Sequence, residues 1–228
     1  MNSILCATIL LSLMYVSSSS RVSKRILRPK RDWELDTEAM IKQNPFKIKP
    51  DQLIERCKQV IDNEIGLKNA DDLSDDFIFQ FPIIGPLSKS EYLKAVKSFE
   101  IRNAFPDLNY GYHHFRIDPF ETNRVWATAS FIGTNTGTSP LGSATNKVVE
   151  TPPQAISFTF NEDGKLCKFT GGYVMDKTLG NSGGLGGVFG LFYGIGKPLP
   201  FPEAKPWTPS IQFRIFNYFG TLLQKVSK

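Results

Sequence analysis

Asp176 closes an apolar strand, CKFTGGYVMD over 167–176, and a carboxylate there can move protons if the fold keeps water from it. Delivered at the mouth of a hollow, a poorly solvated acid has its pKa raised toward neutrality. It can then shuttle a proton, a role worth on the order of 10² to 10⁴ in rate. By strand parity its companions are Val174 and Gly172. A bulge at Gly171-Gly172 would flip the register and bring Phe169 and Cys167 onto the same face as an aromatic wall. The plain alternative is an Asp176 that caps the following segment or pairs with Lys177 in solvent.

Other side chains could hold a substrate beside it. In YGYHHFRID, His113 falls on the apolar side with Gly111, Phe115 and Ile117, and His114 falls on the polar side. Asn135, inside GTNTG at 133–137, can orient a carbonyl through its amide or cap its own loop. Trp126 and Tyr173 read as core or pocket wall rather than as reactive groups.

Several chemistries are excluded. No serine, histidine and acid trio sits in a nucleophile-elbow context, and two histidines with no carboxylate cluster give no metal site. The glycine-rich run at 180–197 contains neither GxxxxGK[ST] nor GxGxxG, so no phosphate cradle is expected. Six of the 27 basic residues (Arg21, Lys24, Arg25, Arg28, Lys30 and Arg31) precede the first acid, which leaves 21 against 22 acidic residues from position 32 onward. That near-neutral body argues against nucleic acid as a partner.

The elements that must position these residues are legible as periodicities. Leu53, Ile54, Cys57, Val60, Ile61 and Ile65 recur at helical spacing before Gly66, which predicts a helix over 50–65. FIFQF predicts a short strand, and Ser88 with Glu91 predicts a capping box opening a second helix that runs to about Phe105-Pro106. From Tyr110 the period changes to two, and four strand-like runs follow with turns at 121–123 and 161–164. Helix, strand, helix and meander is an α+β order, with one curved antiparallel sheet wrapping the N-terminal helices into a cone.

The flanks divide differently. Residues 4–16 form a 13-residue apolar run before Ser17–Ser20, the pattern of a secretory signal over 1–20. Residues 21–48 read as a basic, hydroxyl-rich, transit-like leader and a linker, so a two-part leader directing the chain to a plastid is favoured, with secretion as the alternative. A core domain over 49–178 follows, then a glycine-rich tail over 179–228 ending in an amphipathic helix, with Phe213, Phe216, Phe219 and Leu222 in one row. That segment allows a peripheral membrane contact. Cys57 and Cys167 show no pairing signature.

The motifs taken together resemble the SnoaL-like, polyketide-cyclase-like branch of the NTF2-like superfamily. They are DDFIFQF, FPDL at 105–108, GTNTG at 133–137, NKVV at 146–149, EDGK at 162–165 and Asp176 with Leu-Gly at 179–180. The resemblance covers about 70–187. It implies an apolar pocket for a small hydrophobic molecule, cofactor-free isomerisation or cyclisation with Asp176 as the acid/base group, and pairing through the outer sheet face into a homodimer. The family's histidine is Asn135 here, its glycine before the lysine is Asn146, and its aromatic before the aspartate is Gly172. A non-catalytic carrier of a lipid, pigment or terpenoid, and a docking module, therefore stand beside the enzyme. His113, Asn135, Trp126, Phe169 and Tyr173 are the expected substrate-contacting residues.

Overall fold

A computed structural model describes residues 31, 33–140 and 142–226, with side chains described up to 219. The expected signal and most of the basic leader, residues 1–30, lie outside the described residues, as does the side chain of Leu222. Residues 40–228 form one compact unit. Of the other unit, residues 1–39, the described part is short and includes Asp36, whose Oδ1 accepts from Ala39 N at 3.0 Å.

The elements run α1 (Thr37–Gln43), α2 (Pro50–Asp62), β1 (Leu73–Gln80), β2 (Leu87–Ser88), α3 (Lys89–Ser98), α4 (Ile101–Ala104), β3 (His113–Ile117), β4 (Arg124–Ala129), β5 (Ile132–Thr134), β6 (Val148–Glu150), β7 (Gln154–Phe160), β8 (Leu166–Val174), α5 (Gly187–Gly194) and α6 (Ile211–Val226). Helix α1 lies inside the stretch read as linker, and Ile41, Phe46 and Ile48 pack against the main core.

Helix α2 buries Leu53, Cys57 and Val60, the apolar row of the sequence. It ends at Asp62, three residues early, because Glu64 and Ile65 take left-handed φ values of 52° and 50°. Non-glycine residues pay steric strain in that region, and here the turn sets Glu64 beside the cavity described below. Arg56 ties the helix down: Nη2 donates to Asp72 Oδ1 at 2.8 Å and Nε to Gly164 O at 2.8 Å. The expected capping box is present, with Ser88 N donating to Glu91 Oε2 at 2.8 Å. The single second helix is instead two, α3 and α4, because Glu100 breaks it with φ 47°.

Six strands form one sheet in the order β2-β1-β8-β7-β4-β3, and β5 pairs with β6 separately. The sheet departs from the all-antiparallel expectation at one seam: β1 runs parallel to β8, with Phe79 opposite Phe169. Along β7 the inner face carries Ile156, Phe158 and Phe160, all buried, and the outer face carries Ser157 and Thr159. A second buried cluster joins Phe105 and Leu108 to Val149, Leu191, Phe192 and Ile195, so α5 packs into the same unit as the sheet.

Candidate functional site

An apolar cavity of about 670 Å³ opens between α3, the inner face of β7 and β8, the tyrosines preceding β3, and residues 184–189. That volume lies in the usual range for small-molecule sites. At about 30 Å³ for each water-sized atom it holds roughly 20 non-hydrogen atoms. Its aromatic wall is continuous. Phe79 and Phe81 stack at 4.5 Å, Phe79 and Tyr92 at 5.1 Å, and Phe81 meets Phe169 edge-on at 5.2 Å.

The wall depends on the bulge. Register slips between Ala155 and Ile156, where Gly171 and Gly172 adopt φ of 119° and 83°. Phe169 consequently faces inward opposite Phe158, their rings 4.9 Å apart. A Cβ on Gly172 would stand 2.3 Å from the Phe81 ring, so Phe81 occupies the space an aromatic at 172 would take. A second slip, between Thr159 and Phe160, keeps Cys167 off this face. Its Sγ donates to Thr159 O at 3.2 Å.

Asp176 lies elsewhere. Strand β8 stops at Val174, and the exposed Asp176 accepts from Thr178 Oγ1 at 2.6 Å and Thr178 N at 2.9 Å. Those bonds, the hydroxyl first and the amide second, hold its carboxyl below the usual range. The expected desolvated acid is therefore absent at this position, for a simple reason: Met175 N still donates to Pro153 O at 2.8 Å, and one residue later the chain has turned into solvent.

The other expected contacts separate in the same way. His113 is exposed, with Nδ1 donating to Gly111 O at 2.7 Å. A slip between His113 and Arg116, with His114 at φ 56°, reverses the parity read from the sequence and turns Tyr112 to the cavity instead. Asn135 is buried, but its amide is spent: Nδ2 donates to Ala104 O (3.0 Å) and Gly137 O (3.2 Å), while Oδ1 accepts from Thr145 N (2.9 Å) and Oγ1 (3.0 Å). It closes its loop. Trp126 belongs to the outer sheet face, where Nε1 donates to Asp118 Oδ2 at 2.7 Å. Phe169 lines the cavity wall, and Tyr173 stands exposed at the mouth.

The polar groups of the cavity went unread in the sequence. Tyr92, Tyr110 and Tyr112 line it, and among the described residues none of their hydroxyls has a hydrogen-bond partner. Burial pushes the Tyr112 phenol well up, and its neighbours Tyr92 and Tyr110 push it further. Tyr92 is raised by burial and then by Tyr110. All three are neutral donors at neutral pH. Gln154, buried at 1% exposure, also borders the cavity, and its Nε2 has no partner. Gly186 packs so closely on this amide that a Cβ would sit 2.3 Å from Oε1. Strand parity puts Tyr110 and Tyr112 with His114 on the polar side of YGYHHFRID, and the bulge at His114 overrides it.

The charged residues lining the cavity among those described are Glu64 and the exposed Glu203, both acidic. Glu64 pairs with Lys68 at 3.2 Å and Arg102 at 3.5 Å in an adjoining polar groove of about 350 Å³ that shares Tyr110 and Tyr112. Among the described residues no cluster of histidine, cysteine and carboxylate side chains can hold a metal ion.

No protein-family model matches the chain, and no curated protein matches it. Matching solved structures are described as SnoaL-like polyketide cyclases and NTF2-like proteins. A SnoaL-like polyketide cyclase from Jannaschia sp. CCS1 is 15% identical over 54% of this chain and 85% of its own, at a TM-score of 0.43. One from Agrobacterium tumefaciens is 16% identical over 55% and 92%, at 0.40. An NTF2-like protein from Anabaena variabilis is 16% identical over 54% and 90%, at 0.39. These are likenesses of the α+β fold alone.

Proposed function

We propose that the protein binds one neutral, largely apolar small molecule of roughly 20 non-hydrogen atoms, held by the aromatic wall and by an oxygen atom accepting from the tyrosine hydroxyls. The carrying observation is the combination of a large apolar cavity with three phenols that make no hydrogen bond among the described residues. A carbonyl, ether or hydroxyl oxygen supplies an acceptor for them. Two acidic lining residues and no lining cation among those described disfavour a carboxylate ligand. A proton-shuttling role for Asp176 is not favoured, because it is exposed and held ionised.

The test is titration with three rigid probes of matched size: p-phenylbenzophenone, its hydrocarbon p-benzylbiphenyl, and p-terphenyl carboxylate. Saturable one-to-one binding is expected for the first two, with the ketone tighter and the carboxylate about tenfold or more weaker than the ketone. Absence of saturable binding by both uncharged probes overturns the reading.

A further inference from the structure

We propose that α6 lies in the surface of an anionic lipid bilayer and holds the mouth of the cavity against it. At 3.6 residues per turn, Ile211, Ile215, Tyr218 and Phe219 share one side of α6, and Phe216 widens that side to an arc of about 160°. Gln212 is the polar residue within it. Every one of the five large side chains is exposed, between 51% and 74%. An amphipathic helix whose apolar side is left bare by the described residues marks a surface that something else covers.

Charge decides what covers it. Segment 205–228 contains Lys205, Arg214, Lys225 and Lys228 and no acid. Two copies of α6 packed on one another would bring cations together with no carboxylate between them. A bilayer containing anionic lipid supplies the missing counter-charge along with an apolar phase for the aromatic arc. The helix spans 16 residues, about 24 Å at 1.5 Å each, which is short of a hydrocarbon core of roughly 30 Å. No helix among the described residues is long and apolar enough to cross a membrane, so α6 lies in the plane of the interface.

The mouth of the cavity carries the same signature. Trp207, Tyr173 and Ile83 all line it and are exposed, at 71%, 67% and 53%. Tryptophan and tyrosine are the side chains that settle at headgroup depth. Trp207 precedes Ile211 by four residues, a tether of at most about 14 Å, so a docked α6 keeps the rim at the same surface. One consequence rests on the ligand-binding reading: the cavity would then open toward the phase in which an uncharged, oxygenated hydrophobe dissolves.

The experiment is amide hydrogen exchange on the full chain with phosphatidylcholine vesicles, with and without phosphatidylglycerol. Exchange across 211–226 is expected to slow about tenfold or more with the anionic vesicles only. Ile215→Glu with Phe219→Glu should remove that slowing while the exchange of β7 and the binding of p-phenylbenzophenone stay unchanged. Unslowed exchange across 211–226, or equal slowing on pure phosphatidylcholine, overturns the proposal. So does slowing without vesicles that grows with protein concentration, which would identify a second copy as the occupant. Loss of ketone binding with vesicle protection intact would count against the ligand reading and leave the docking standing.

Discussion

Tyr92→Phe isolates the hydroxyl from everything else its side chain does. The ring packs at 5.2 Å from Phe77 and 5.1 Å from Phe79, and phenylalanine keeps both contacts. Because the hydroxyl has no partner among the described residues, the free protein loses no hydrogen bond and its stability should change by less than about 0.5 kcal/mol. A ketone in the cavity does lose one. A neutral hydrogen bond contributes a net 0.5–1.5 kcal/mol or so, which converts to an affinity loss of about 2-fold to 13-fold. Isothermal titration of p-phenylbenzophenone against p-benzylbiphenyl reads this as a change in their affinity ratio, with the hydrocarbon unaffected. The reasoning fails if both probes weaken together. It also fails if the combined Tyr92→Phe, Tyr110→Phe and Tyr112→Phe variant still prefers the ketone by the original ratio.

Asp176→Asn should leave ketone affinity within about twofold, because the side chain is exposed and away from the cavity; a tenfold loss would restore it to the site. Gln154→Met removes a buried amide donor that lacks a partner, so urea denaturation should show a gain of about 1 kcal/mol, and a loss would mean the amide is satisfied. Asn135→Ala deletes four hydrogen bonds in a buried loop closure and should cost about 2–4 kcal/mol in the same assay without altering the ratio of ketone to hydrocarbon affinity. Burial raises the Tyr92 and Tyr112 phenols, so the folded state keeps protons that the unfolded chain releases near pH 10. Stability should hold up to about pH 10 and fall above it in step with tyrosinate absorbance, and a flat profile would deny their burial.

The skeleton of this fold was legible because each element advertised its own period or cap. Leu53, Cys57 and Val60 marked the buried stripe of α2, the Ser88 and Glu91 pair opened α3, and Gly171-Gly172 announced the bulge that turns Phe169 inward. The site was less legible because strand parity fails at bulges that carry no such marker. His114, a non-glycine residue at φ 56°, and the slip that sets Cys167 aside each exchange inside for outside at positions where the sequence shows ordinary alternation. The parallel seam between β1 and β8 was likewise invisible, since pairing partners distant in sequence leave no local pattern. By sequence Asn135 suits either a loop cap or a substrate contact, and its four hydrogen bonds decide for the cap.

The balance between recognition and reaction turns on which groups in the cavity can accept a proton. Raised phenols stay protonated at neutral pH, so Tyr92 and Tyr112 donate hydrogen bonds and cannot serve as bases there. Glu64 borders the cavity but already holds Lys68 and Arg102, while Glu203 stands in solvent at its edge. Gln154 adds another donor that does not titrate. Acid/base isomerisation needs a proton acceptor within reach of the substrate whose pKa lies near the working pH, and the carboxylates of the described lining are Glu64 and Glu203. On the ligand-binding reading proposed above, the cavity discriminates by matching an oxygen to its phenols and by excluding anions.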